Sequence, residues 1–262
     1  MKTNSTSNNI LVLTDFSEAS NIALRNAAKM VKLINGNIYV YHAHNIELPS
    51  VEQNQLTFNG RLREINRQTF VKAKEIISSI EKEQGINIEF TMDHGNIKNC
   101  ISKKVREINP DLVILGRRKS KFLDFLGDKV TQFVIDHCDT SVLISGGNHE
   151  LHSFSNLSLG FFGDTIEKSE FQIIEHLQES PRSIKYFGIR SRMPSAETTD
   201  AEQKTTTSYV FSQDGSKAID ALTSYVARTN TELFCIPKNN NTKLQPVKEM
   251  VNRLEIPILL YK

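Results

Sequence analysis

The side chains best suited to chemistry lie in two places along the chain. After the apolar run 111–115 (DLVIL), Gly116 is followed within five positions by Arg117, Arg118, Lys119 and Lys121. Arginine forks and lysine point charges both hold phosphate oxygens, so a basic loop at the end of a buried strand suits an anionic ligand. After the apolar run 10–13 (ILVL), Asp15 stands just ahead of Ser17 and a helical stretch. A carboxylate there can cap the helix by accepting from its first amides, or receive the donor groups of a ligand. Position alone leaves both roles open. On base rates the basic loop reads slightly better as a solvated loop that keeps the chain soluble.

Other chemistry is thinner. His42 and His44 lie two apart, on one face of an extended segment, a spacing that can chelate a metal but lacks a third ligand in register. Cys100, Cys138 and Cys235 are far apart with no C-x-x-C pair, which argues against a disulfide framework or a structural zinc site and for three free packing thiols. There is no Ser-His-Asp order, no H-E-x-x-H and no Walker-type loop, so nothing positive argues for an enzyme.

The elements that must position these residues follow from periodicity. The chain has 262 residues, 39% hydrophobic and 24% charged, a soluble globular balance with length for two ordinary domains. No apolar run approaches the roughly 20 residues of a membrane span, and the opening MKTNSTSNN lacks the apolar core of a secretory signal, so a cytoplasmic protein with no membrane partner is expected. A net charge of +2 makes no general case for nucleic acid, which ranks last because the basic loop has no aromatic platform beside it.

Strands are expected at 10–13, 37–43, 86–92, 111–115 and 142–144, with helices between them. The first helix is capped by Ser17 and carries Ala23, Ala27, Met30 and Ile34 on one stripe. A polar connection over 46–60 leads to a long helix over 61–84, with Leu62, Ile65, Thr69, Ala73, Ile76 and Ile80 spaced for burial. The alternation of Ile86, Ile88, Phe90 and Met92 suits a strand near a sheet edge. Ile97, Ile101, Val105 and Ile108 define the next helix, and Val130, Phe133, Val134 and His137 the one after it. From 157 the plan repeats more loosely. Strands are expected at 157–162, 183–189, 208–211, 233–236 and 258–261, with helices marked by Phe171, Ile174 and Leu177, by Ile219, Leu222 and Val226, and by Val247, Met250 and Leu254 after Pro246. The pattern is an internal duplication of a doubly wound α/β unit, with domains at 1–147 and 156–262 and a degraded second copy.

The stretches ILVLTDFSEAS at 10–20, IYVYHAH at 38–44, DLVILG at 111–116 and VTQFVIDHCDTSVLIS at 130–145 together resemble the universal stress protein family, and the whole chain resembles a tandem two-domain member. That resemblance implies two tandem parallel sheets of strand order 3-2-1-4-5. It also implies, in some members, ATP or AMP with Mg2+ at the split between strands one and four. The implied contact set is Asp15, Ala43, Gly116, Arg117, Arg118, Lys119, Lys129 and Val130. Asp15 matches the acid at the adenine end and Gly116 the first glycine of the family's phosphate signature. Lys119 replaces the second glycine, and Asp128-Lys129 stand where a Gly-Ser pair is expected. Lys119 is bulkier than glycine and Asp128 repels phosphate, while the basic residues at 117–119, 121 and 129 compensate by charge. The implied site is therefore an altered one.

In the second half the equivalent loop, PKNNN at 237–241, holds no glycine and reads as structural. The family's pairing of last strands across a two-fold axis implies that 142–144 and 258–261 pair within one chain as an intramolecular pseudo-dimer, with a homodimer of the whole chain as a further arrangement. Two functions follow. One is a non-enzymatic stress-response or regulatory module acting through dimerisation and contacts with another protein; the alternative is an ATP- or AMP-binding protein with slow ATP hydrolysis at the first domain.

Overall fold

The continuous apolar runs become strands covered on both faces by helices, which is why they show no polar alternation. The computed structural model describes residues 8–45, 55–117, 129–146, 150, 151, 153–163, 173–179, 181–190, 206–212, 216–238 and 244–262. In chain order the first half comprises β1 (Asn9–Leu13), α1 (Glu18–Ile34), β2 (Asn37–His44), α2 (Gln55–Gln84), β3 (Ile88–His94), α3 (Ile97–Ile108), β4 (Leu112–Gly116), α4 (Lys129–His137) and β5 (Ser141–Ser145). The second comprises β6 (Ser158–Phe162), α5 (Ile173–Glu179), β7 (Ser183–Arg190), β8 (Thr206–Ser212), α6 (Ser216–Arg228), β9 (Leu233–Pro237), α7 (Leu244–Arg253) and β10 (Ile258–Tyr261).

All ten strands join one sheet, ordered β3-β2-β1-β4-β5-β10-β9-β6-β7-β8. The first five give the expected order 3-2-1-4-5, and the second five repeat it when read from the opposite edge. Pairing is parallel within each half and antiparallel only where β5 meets β10, with Val142, Leu143 and Ile144 opposite Leu260, Leu259 and Ile258. Each otherwise open edge is thereby satisfied by the other. One core, built on Ile10, Val12, Ala27, Met30 and Leu159, lies under α1, α2 and α5. The other, built on Leu11, Val113, Val134, Leu222 and Met250, lies under α3, α4, α6 and α7.

Charged contacts reinforce the seam. The Lys238 ammonium donates to the Cys138 and Thr140 carbonyls at the carboxyl end of α4, where the helix dipole favours a cation. Lys248 pairs with Asp136 at 2.8 Å and Lys262 with Asp139 at 2.9 Å. The connection after β5 is strapped to α1: buried Asn26 donates to Ser145 Oγ (3.1 Å) and accepts from the Leu151 amide (3.0 Å), and Lys29 meets Glu150 at 2.6 Å.

Several local expectations differ from the structure. Helix α2 starts at Gln55, so Gly60 lies inside it rather than in the preceding connection. A Cβ at Gly60 would meet nothing within 4 Å, and an exposed helical glycine costs only about 1 kcal/mol, which the tertiary packing of the following turns offsets. On α4 the buried residues are Thr131, Val134 and Ile135, whereas His137 is exposed and stacks on Phe133 at 4.6 Å. Cys138 and Cys235 are buried, but Cys100 is only half-buried. The expected marker Phe171 lies outside the described residues. Among the described residues, no helix is long and apolar enough to cross a membrane.

Candidate functional site

Strands β1 and β4 are neighbours, yet α1 and α4, which follow them, pack on opposite faces of the sheet. Such a split opens a crevice at the carboxyl ends of the strands. Here it forms a cavity of about 150 Å³ lined by Leu13, Thr14, Asp15, Ser20, Tyr41, Ala43, Ile97, Ile101, Leu115, Gly116, Val130 and Thr131. The lining is of two kinds: apolar side chains from β1, β2, α3 and β4, and hydroxyls with one carboxylate around the amino ends of α1 and α4.

The polar part is built at the start of α1. Ser17 caps the helix by accepting from the Ser20 amide. Asp15 Oδ1 accepts from the Ser17 amide at 3.0 Å and from its hydroxyl at 2.5 Å, so Asp15 supports the cap and lines the cleft together. Thr14 Oγ1 donates to Ser20 Oγ (3.1 Å) and accepts from the Phe16 amide (3.0 Å). Phe16 itself is held at φ 60°, a left-handed conformation that a bulky side chain adopts only under constraint. The constraint is its ring, packed 4.9 Å from His42 and 6.2 Å from Phe90, with the Lys72 ammonium 5.3 Å from its centroid.

Tyr41 belongs to the apolar wall and is 1% exposed. Its hydroxyl donates to Asp93 at 3.0 Å, and the Lys104 ammonium lies 5.3 Å from its ring. Burial, and then the Asp93 carboxylate, hold the phenol far above its ordinary pKa, so it remains a donor. Gly116 meets a different need. A Cβ there would lie 2.3 Å from both the carbonyl carbon and oxygen of Ala19 and 2.6 Å from the Ser20 amide nitrogen. Glycine is what lets the end of β4 close against the first turn of α1.

Of the residues expected from sequence to contact a ligand, Asp15, Ala43, Gly116 and Val130 line this one cleft. Arg117 follows β4 half-buried, its amide donating to the Ser145 carbonyl, and Lys129 opens α4 exposed to solvent. Arg118, Lys119, Lys121 and Asp128 lie outside the described residues. Sequence reasoning missed Leu13, Thr14, Ser20, Tyr41, Ile97, Ile101, Leu115 and Thr131. Leu13, Thr14, Ser20 and Leu115 are close in sequence to Asp15 and Gly116, and Tyr41 lies two residues before Ala43 on the same face of β2, so these were findable; Ile97, Ile101 and Thr131 depend on how distant elements meet.

Strand β2 runs through His44, so His42 and His44 share a face with ring centroids 6.0 Å apart. Register brings a third imidazole, His94 on β3, to 5.5 Å from His44. Among the described residues, no group of three His, Cys, Asp or Glu side chains could hold a metal ion.

Residues 6–145 match the family model described as the universal stress protein family. No curated protein matches the sequence directly. Among solved structures, a universal stress protein from Archaeoglobus fulgidus is similar over 98% of this chain and 97% of its own, at 15% identity and a TM-score of 0.70. A protein of unknown function from Pseudomonas aeruginosa is similar over 98% of this chain and 92% of its own, at 11% identity and a TM-score of 0.56. A universal stress protein family member from Arabidopsis thaliana, solved with AMP bound, aligns over 52% of this chain and 90% of its own, at 18% identity and a TM-score of 0.35.

Proposed function

The chain belongs to the universal stress protein family, and from that premise we propose that it is a non-enzymatic stress-response module with an altered adenine-nucleotide site in its first half. The second half acts as a built-in partner. On this reading residues 1–147 and 156–262 are two domains of a cytoplasmic protein, paired inside one chain through β5 and β10, and the output is a contact with another protein.

The cleft between β1 and β4 carries the reading. Its apolar lining of Tyr41, Ala43, Ile97 and Ile101 suits the faces of a planar base, and Asp15 suits the base's or sugar's donor groups. The amino end of α4, with Val130 and Thr131, offers backbone donors to phosphates, and Lys129 and Arg117 add charge. Mg2+ would arrive with the phosphates of ATP, neutralising part of their charge. The replacements at 119 and 128 favour an altered site, while Gly116 is retained and also serves packing, because the space above its Cα is taken by the α1 backbone.

Denaturing the purified protein and assaying the supernatant for adenine nucleotide tests the proposal. ATP or AMP is expected from the wild type and is expected to be depleted in Asp15→Ala. A supernatant free of nucleotide, together with no thermal shift in millimolar Mg-ATP, would sink it, since a ligand at 100 times its dissociation constant adds about 2.7 kcal/mol.

A further inference from the structure

Three imidazoles from two adjacent strands meet beside the Thr14–Phe16 turn, on the α2 side of the sheet. The ring of His44 lies 6.0 Å from that of His42 and 5.5 Å from that of His94. Both outer rings are tied to neighbouring elements. His42 Nδ1 donates to the Thr14 carbonyl at 2.8 Å while its ring packs on Phe16. His94 Nε2 donates to Asn66 Oδ1 on α2 at 2.5 Å, and its Nδ1 is buried without a hydrogen-bond partner.

We infer that this histidine cluster makes the Asp15–Phe16 turn acid-sensitive: neutral imidazoles hold the turn closed against β2, and their protonation releases it and weakens the ligand site. Charging the cluster gathers like charges on neighbouring rings, close to the Lys72 ammonium that already lies over Phe16. A proton on His94 Nδ1 would create a buried N–H with no acceptor. Asp15 on the turn attracts a charged His42, and Asp93 on β3 attracts a charged His94, but Asp93 is engaged by Tyr41 and Asp15 by Ser17. On α2 the exposed Glu64 is engaged by Arg67 and Gln68. The turn yields first because the left-handed backbone of Phe16 is held in part by those ring contacts.

The sign follows from proton binding. Burial keeps His42 and His94 below the ordinary imidazole pKa. Above that ordinary value, about 6.5, open and closed forms are both neutral. As pH falls through it the open form takes up protons first, so the closed form loses stability towards acid.

The effect on ligand rests on the nucleotide reading above, whereas the effect on the turn does not. The test uses His42→Asn with His94→Gln, whose amides keep the two donor positions and cannot be charged. In the nucleotide-free chain, hydrogen-exchange protection of the Thr14, Phe16 and Ser17 amides is expected to fall about tenfold between about pH 7.5 and pH 5.5 in the wild type, and less than about threefold in the double variant. Equal responses in the two proteins, or no response in the wild type, overturn the inference. Should the double variant fold poorly, His44→Asn removes the imidazole that lies between the other two and is expected to reduce the response by half or more; an unchanged response counts against the cluster. Mg-ATP affinity measured over the same range is expected to fall in parallel in the wild type. If the wild type takes up no Mg-ATP at either pH, the nucleotide reading fails and the exchange result alone decides the switch.

Discussion

The two halves share a strand order and differ in what they do with the space at the ends of their strands. In the first half β4 ends in Gly116, which lets α1 close in, and the seventh residue of β2 is Ala43, which leaves the cleft open. At the matching places the second half has Pro237, ending β9, and Ile189 on β7, packed against the core. Its interior is also filled differently. Gly160 on β6 takes the position of Leu11, and a Cβ there would come within 2.8 Å of the Phe234 ring and 3.2 Å of Phe187. The residue after β9, Lys238, reaches across the seam to the carbonyls ending α4 instead of facing a ligand. The same topology thus carries a cleft where side chains are small at the strand ends, and among the described residues of the second half the matching places hold larger or cationic ones.

That contrast can be broken at each of its positions. The largest effect is expected from Gly116→Ala, whose new methyl must push β4 from the α1 backbone; urea unfolding is expected to show a loss of about 3 kcal/mol. Lys238→Met keeps the apolar stem but abandons two carbonyls at the seam, for an expected loss of about 2 kcal/mol. Ala43→Ile installs the second half's residue in the first half's cleft. Calorimetry is expected to show Mg-ATP affinity lowered at least about tenfold, or about 1.4 kcal/mol, with the unfolding midpoint nearly unchanged. Pro237→Ala, the counterpart of the Gly116 change, adds no atoms to its site and removes only the ring's hold on the backbone, so it is expected to cost under about 1 kcal/mol. Equal costs at 116 and 237 would remove the structural basis of the contrast.

Much of the fold was legible in the sequence because its signals are local. The runs at 10–13, 112–115 and 142–144 had to be buried strands, and the stripes on α1, α3, α6 and α7 repeat with helical period. Gly60 misled because its conformational cost is small against the packing of the turns that follow it. The site was only half legible. Asp15 and Gly116 stand at strand ends, where position alone points to a crevice. Ile97, Ile101 and Thr131 enter from helices placed by tertiary packing, and His94 joins His44 only through the β2–β3 register. No window of sequence contains that information, since parallel pairing joins residues separated by whole crossover units.

The central claim is that one half binds and the other half only pairs. Equilibrium dialysis of the intact chain against labelled ATP with Mg2+ tests it most directly. The account predicts saturation at about one nucleotide per chain, lost in Asp15→Ala. Two nucleotides per chain would contradict the division of labour between the halves, and none would contradict the cleft's assignment.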